Sequence, residues 1–283
     1  MQDVINGLAQ GSVYALTGMG LVLIFSVVRV PNFAHGELVM IGGMLGVLLV
    51  ADMHLSIVLA LAAGMITALV LGILFSTAIF SRLNKQGEVG QLIASLALVV
   101  VIQAGTTMLR GDDPRIIPGA PSEAIIIAGA RVPVMWLIIF LSAVVFALAL
   151  EAYVRYTATG RVMRAMALNP MAAKLMGIPI GLYQAMAFGI GSALAGIAGV
   201  LYGLSFPVQA SVGASISLKA FIVIIFAGMG SITGALIGGL LLGLVESFGG
   251  SYLSSGYRDT FGFVFLLLVL LFRPNGLFAA REQ

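Results

Sequence analysis

Cysteine does not occur in this chain, charged residues make up only 9% of it, and tryptophan appears once. Without cysteine there can be no disulfide, thiol nucleophile or thiolate metal site, and nothing follows about redox compartment. Histidine occurs twice and the acids are dispersed, so no metal cluster is indicated. No Gly-x-x-x-x-Gly-Lys-Ser/Thr stretch is found, which excludes a P-loop and an ATP motor within this chain. Soluble domains carry about 25% charged residues. A globule of 283 residues with so little charge cannot stay in water. Disorder, a secreted disulfide scaffold and a cytosolic enzyme are excluded.

What is abundant is apolar surface and glycine. Apolar residues reach 60%, with 36 Gly and 14 Met, and mean hydropathy is +1.13. Stretch 136–150 has no charge at all, so the natural solvent is a lipid bilayer. The net charge is +3, but the cations stand singly and form no stripe, so nucleic acid is not a partner. Glycine at this density lets helices touch backbone to backbone and lets them break inside the membrane.

A spanning helix needs about 20 apolar residues. The stretches 8–28, 57–80, 89–109, 132–154, 183–204, 218–245 and 259–272 qualify, and 33–51 forms a shorter one entered through Pro31 and Asn32. The stretch 218–245 is interrupted by Gly228-Met-Gly-Ser-Ile-Thr-Gly234 and splits into two shorter helices. The prediction is an all-α polytopic membrane protein, a single domain over 1–283 with about eight or nine membrane helices. Residues 1–7 hold no Lys or Arg, so a cleaved signal peptide is not expected.

Orientation follows from the cations. With the N-terminus outside, the inner side holds Arg29, Arg82, Lys85, Arg155, Arg161, Arg164, Lys174, Arg273 and Arg281, and the outer side Arg110, Arg115, Arg131, Lys219 and Arg258. Nine against five predicts a cytoplasmic C-terminus. Lys219 and Glu246 fall near the outer ends and are expected to snorkel to the interface.

Two loops are more than connectors. The outer one, 110–131, is rich in Pro, Asp and Arg, and is either a solvated cap or a docking face. The inner one, 156–182, encodes two short helices. Asn169 suits an N-cap, Pro170 the first helical position and Gly177 a left-handed stop, with Pro179 beyond it. That specifies a helix over 170–176, roughly 10 Å long. Before it, Arg161 and Arg164 share one face of another short helix with Leu168. The resulting knob either rests on anionic lipid or seats in a protein groove.

The glycine breaks are candidate path elements, since unwound backbone is tolerated at membrane depth only where protein or a water-filled cavity covers it. One contains Asn32, His35, Gly36 and Glu37; the other contains Gly228, Gly230, Ser231 and Gly234. Phe33-Ala34-His35-Gly36 leading to Ile41-Gly42-Gly43 is faintly similar to Phe226-Ala227-Gly228 leading to Ile237-Gly238-Gly239, which suggests an inverted repeat. Glu37 at a helix start is expected to lock that start by meeting free N–H groups. Gln103, Asn32 and Ser231 are candidate polar lining. A carrier or pore for urea or short amides, using Glu37 for ion coupling, is the rival from another transport class. An intramembrane hydrolase built on Ser192 and His35 is a third reading.

These stretches also carry a resemblance. Asn32-Phe-Ala-His-Gly-Glu37 with Met40-Ile-Gly42, Arg164-Ala, Asn169-Pro170, Gly177-Ile178, Gly230-Ser-Ile-Thr-Gly-Ala-Leu-Ile-Gly-Gly239, Glu246, Tyr252 and Arg273-Pro-Asn-Gly-Leu277 run in order along almost the whole chain. The chain resembles membrane permeases of ATP-binding-cassette importers for branched-chain amino acids, in particular the H-type subunit of leucine/isoleucine/valine systems. The resemblance implies a bacterial inner-membrane subunit paired with a second related permease, two ATPase subunits that bind ATP and Mg, and an external solute-binding protein. It implies no cofactor on this chain. It places ATPase coupling at Arg161, Arg164, Asn169, Pro170, Ala172, Ala173 and Gly177. A related importer of urea or amides is the alternative substrate reading. Leu168 and Met171 depart from the polar or acidic residues that relatives often carry there, and Arg29 is unusual beside the Asn-Phe-Ala-His-Gly stretch.

Overall fold

The computed structural model describes residues 1–83, 87–121, 123–127, 130–228, 230–252 and 255–272. Lys85, Met229, Arg281 and the 273–277 stretch lie outside them. In order, the helices are α1 (Gln2–Val28), α2 (His35–Asp52), α3 (Ile57–Leu83), α4 (Gly87–Arg110), α5 (Val134–Tyr156), α6 (Ala158–Leu168), α7 (Pro170–Leu175), α8 (Ile180–Gly203), α9 (Val212–Ala227), α10 (Ile232–Tyr252) and α11 (Arg258–Phe272). Seven of them, α1 to α5, α8 and α10, are long and apolar enough to cross a membrane. The shorter α9 and α11, at 16 and 15 residues, accompany them.

Local chemistry sets the boundaries. Proline stands at or just before three helix starts, Pro133, Pro170 and Pro179, where its missing N–H costs nothing. Ser56, Thr157 and Asn169 each accept a hydrogen bond from a backbone N–H of the following first turn. The interruption in 218–245 separates α9 from α10, with Gly228 and Gly230 at φ 72° and 102°.

The connection after α4 holds a structure its prolines did not suggest. Strands β1 (Ala124–Ile127) and β2 (Ala130–Pro133) form an antiparallel hairpin, because the β-branched Ile run favours a pleated surface over coil. Arg115 pairs with Val208 in an isolated bridge, and Ile117, almost fully buried, fills the space beside Gly46 and Gly203. Gln2 donates to the Arg131 carbonyl at 3.1 Å, so the start of α1, the hairpin and the α8–α9 connection share one end of the bundle.

Helices α1 and α8 cross at the centre in opposite directions. A β-carbon on Gly20 would strike the carbonyl of Gly191, and one on Gly191 that of Gly20. Gly7 and Gly11 meet Gly243 and Gly239 of α10, while Gly64 of α3 meets Gly196 of α8. Backbones held this close gain dispersion over their whole length, which is what lipid-embedded helices have in place of a hydrophobic drive.

The packing repeats with direction reversed. As α1 lies on α10, so α8 lies on α3; as α1 meets α9, so α8 meets α2. The matched units are therefore α1–α3 and α8–α10, and α2 corresponds to α9. This corrects the correspondence expected from the Gly-Gly stretches, which aligned the start of α2 with the start of α10. Small residues recur at any close crossing, so that likeness reflected packing instead of equivalent position.

Gly196→Ala should lower stability by about 1–3 kcal/mol, since its methyl would overlap backbone of Gly64 and the Ala68 side chain. Gly181→Ala, on the same helix with open space around it, should be neutral or gain a few tenths. Thermal melting of the detergent-solubilised protein separates them; equal melting temperatures would refute the packing account.

Candidate translocation and coupling site

Helix α1 ends with Arg29 in the left-handed region, φ 58°, its N–H closing onto the Phe25 carbonyl at 2.8 Å. The chain then doubles back. His35 Nε2 lies 3.2 Å from the carbonyl of Thr17, near the middle of α1, so α2 starts about halfway through the bundle. Backbone that is not helical at this depth must find its partners locally. Asn32 Oδ1 accepts from the Ala34 N–H at 3.1 Å, and Ser217 Oγ of α9 accepts from the Gly36 N–H at 2.8 Å while donating to the Phe33 carbonyl at 2.5 Å. A β-carbon on Gly36 would strike the Gly213 carbonyl, so α2 and α9 meet here start to start.

Glu37 does something other than lock its own helix. The free N–H groups expected to bind it are taken by Asn32, Ala34 and Ser217. Its Oε1 instead accepts from Gln103 Nε2 of α4 at 2.9 Å. Oε2 sits against Gly213 with no hydrogen-bond partner among the described residues, and the side chain is fully buried. Asn32, His35, Gly36, Glu37 and Gln103 are thus brought together. Ser217 was missed, although its four-residue spacing from Gly213 marks a small-residue face.

The second glycine segment lies elsewhere. Ser231 Oγ accepts from the Gly234 N–H at 2.9 Å and caps α10, and a β-carbon on Gly230 would touch Ser26 at the end of α1. Gly228, Gly230, Ser231 and Gly234 therefore form a tight turn beside the knob and not beside Glu37.

Ser192 Oγ faces Gly72 of α3 without a hydrogen-bond partner among the described residues, whereas His35 Nε2 meets Thr17. Among the described residues no base is hydrogen-bonded to that hydroxyl, so the hydrolase reading has no supporting geometry there.

Lys219 and Glu246 are buried, not interfacial. Lys219 Nζ donates to Glu246 Oε2 at 2.8 Å, to Asp259 Oδ1 at 2.9 Å and to Tyr14 Oη at 2.8 Å; Tyr14 Oη donates to Glu246 Oε2 at 2.9 Å. Four helices, α1, α9, α10 and α11, meet in this cluster. Linear distance from the helix ends suggested snorkelling, but each side chain faces inward, where pairing is the cheaper solution.

The knob is built from α6 and α7. Arg161 Nη1 donates to the Tyr156 carbonyl at 3.3 Å and Arg164 Nη1 to that of Val154 at 2.9 Å, so both arginines hold the negative end of α5. Asn169 Oδ1 accepts from Ala172 N–H at 2.9 Å, Pro170 opens α7, Gly177 turns at φ 80°, and Ala173 is buried against the bundle while Ala172 is exposed. At the tip Leu168, Leu175 and Met176 are each more than 80% exposed, and Met171 is exposed too. Arg29 donates to the carbonyls of Ala167 and Leu168, which gives this residue its structural partner.

Lys219→Met should destabilise the protein by about 3–5 kcal/mol, because Glu246 is left buried and unpaired. The double variant Lys219→Met with Glu246→Met should recover much of that loss. Folded yield and melting temperature report it; a double variant worse than the single would contradict the pairing argument.

Comparison with known proteins agrees with this architecture. The family model described as branched-chain amino acid transport system / permease component matches residues 4–272. The chain is 31% identical over 296 residues to the high-affinity branched-chain amino acid transport system permease protein LivH of Escherichia coli, covering 100% of this chain and 96% of that protein. BraD, the corresponding permease protein of Pseudomonas aeruginosa, shows the same identity and coverage. Among solved structures, PsaBC from Streptococcus pneumoniae in complex with Fab is similar in fold, with a TM-score of 0.53 at 12% identity over 97% of this chain and 93% of that one. A bundle with a half-depth helix start, a buried charge cluster and a protruding knob, matched along nearly its full length, belongs to the branched-chain amino acid transport permease family.

Proposed function

We propose that this chain is a membrane permease subunit of an ATP-driven importer of branched-chain amino acids, set in a bacterial inner membrane with the knob and the C-terminus in the cytosol. It works with a second related permease, two ATPase subunits that carry ATP and Mg, and an external solute-binding protein. The observation that carries this reading is the tip of the knob. Leu168, Met171, Leu175 and Met176 form an exposed apolar patch on short capped helices that lie outside the spanning bundle. Large apolar side chains clustered on a polar rim mark a protein contact. The occupant is a groove on the ATPase; the names of the relatives, each a permease protein of a transport system, support a chain that works with other components.

Nucleotide-driven closure of the ATPases displaces the knob, and the helix starts around Asn32 and Glu37 rearrange to switch access. The central polar groups are few: Asn32, His35, Glu37, Gln103 and Ser217, in an otherwise largely apolar bundle. Such a path suits a zwitterion with an aliphatic tail that passes without being held, selection having been made by the external binding protein.

Leu168→Ser combined with Leu175→Ser should leave the yield of the chain unchanged, both side chains being more than 80% exposed. Copurification of the ATPases and uptake should each fall roughly tenfold or more. Full copurification would remove the knob from the interface.

Uptake of leucine, isoleucine and valine by vesicles holding the complete assembly should continue when a protonophore collapses the gradient and stop when ATP is withdrawn. The reverse pattern would make the chain an ion-coupled carrier.

A further inference from the structure

Arg29 occupies a backbone position that favours glycine. A non-glycine residue in the left-handed region costs about 1 kcal/mol or more, and the turn that closes α1 needs only the N–H, which Gly would supply equally well. The side chain therefore has to account for the residue. Its guanidinium reaches the carbonyls of Ala167 and Leu168, in the last turn of α6. Those acceptors are among the carbonyls that a helix end leaves unpaired, and the negative end of the helix dipole adds attraction for a cation.

The location gives the bond leverage. Asn169 follows at once and caps α7, so Arg29 holds the junction between the two knob helices. On its other side, Val30 and Asn32 are buried and Asn32 caps the turn into α2, so the six residues from Arg29 to Ala34 have little freedom to absorb a displacement. Between α6 and the rest of the bundle lies a cavity of about 350 Å³, bounded by Val22 and Ser26 of α1, Glu151 of α5, Met163 of α6 and Gly230. Helix α6 has room to shift there, and Arg29 is the polar tie that makes the end of α1 move with it.

We infer that Arg29 is a coupling pin: a positioning residue that transmits movement of the knob into the α1–α2 turn and so to the half-depth site at Asn32, His35 and Glu37. The inference rests on the importer function proposed above. A knob that moved into the cavity without the pin would dissipate its displacement; with the pin, the displacement is delivered to a taut segment.

The test uses the complete importer in proteoliposomes, comparing wild type with Arg29→Gly and Arg29→Lys, and reads solute imported per ATP hydrolysed together with melting temperature. Arg29→Gly should melt at the wild-type temperature or above it, because strain is relieved, while import per ATP falls roughly fivefold or more. Arg29→Lys, which keeps the charge and loses the fork, should fall between them. A wild-type ratio in Arg29→Gly overturns the pin, as does a loss of import and ATP hydrolysis in equal proportion. If Arg29→Gly does not assemble, Arg29→Gln decides by the same ratio. Wild-type proteoliposomes that import nothing on ATP overturn the importer function itself, an outcome distinct from failure of the pin.

Discussion

The crossing of α1 and α8 at Gly20 and Gly191 is the constraint from which the rest of the structure follows. Each backbone stands where the other's side chain would be, so the two helices touch backbone to backbone at this point. That contact fixes the axis about which the two three-helix units are arranged. It also leaves His35 room beside Thr17, since a β-carbon at Gly20 would press on the imidazole as well as on Gly191. Substituting a larger residue at this point would therefore disturb the helix crossing and the start of α2 together.

A helix that starts at half depth is expensive in a bilayer, because its preceding backbone cannot turn to water. The expense is met by Asn32 and by Ser217, the second of which comes from α9. Because α9 starts beside α2, each helix start helps to cover the other's unwound approach. The arrangement is stable only while α2 and α9 stay together, and this makes the contact between them the natural place for a conformational change. The α1–α10 and α3–α8 contacts, which run backbone to backbone over several turns, offer no comparable seam.

Local features of the fold were legible because their causes are local. The helix over Pro170–Leu175 follows from Asn169, Pro170 and Gly177, which lie within eight positions of one another. The spans follow from hydropathy in the same way. Lateral placement was not legible: hydropathy reports that Lys219 and Glu246 stand near helix ends, but cannot report that both face α1, where Tyr14 waits. The cap of α2 was assigned to Glu37 by charge and proximity, whereas the bonds belong to Asn32 and to a serine 180 positions or more away. The hairpin at 124–133 was hidden by the prolines around it, which drew attention away from the Ile run. In the candidate site the polar residues could be named from the sequence as candidates; which of them touch one another depended on the antiparallel crossing of distant segments.

The two groups of buried charge differ in how completely they are compensated, and the difference separates their roles. Lys219 faces two carboxylates and a phenol, and Glu246 Oε2 accepts from both Lys219 and Tyr14, while Glu246 Oε1, like Glu37 Oε2, has no hydrogen-bond partner among the described residues; what sets the cluster apart is its cation. Separating α9 from α10 would strand Lys219 and Glu246 in a medium that solvates them poorly, so the buried part of the cluster binds α1, α9 and α10 into one body, with the exposed Asp259 joining α11 at its edge. Among the described residues Glu37 is held by a single neutral donor, Gln103, and its other oxygen rests against the start of α9. Moving α2 away from α9 gives up the two Ser217 bonds but breaks none to that oxygen, and it opens the carboxyl group to solvent, which lowers the cost of its missing partner. The cluster therefore resists motion, and Glu37 is the buried group whose environment improves when its surroundings part. A bundle composed in this way yields first at α2 and α9, the segment to which the knob is tied through the end of α1.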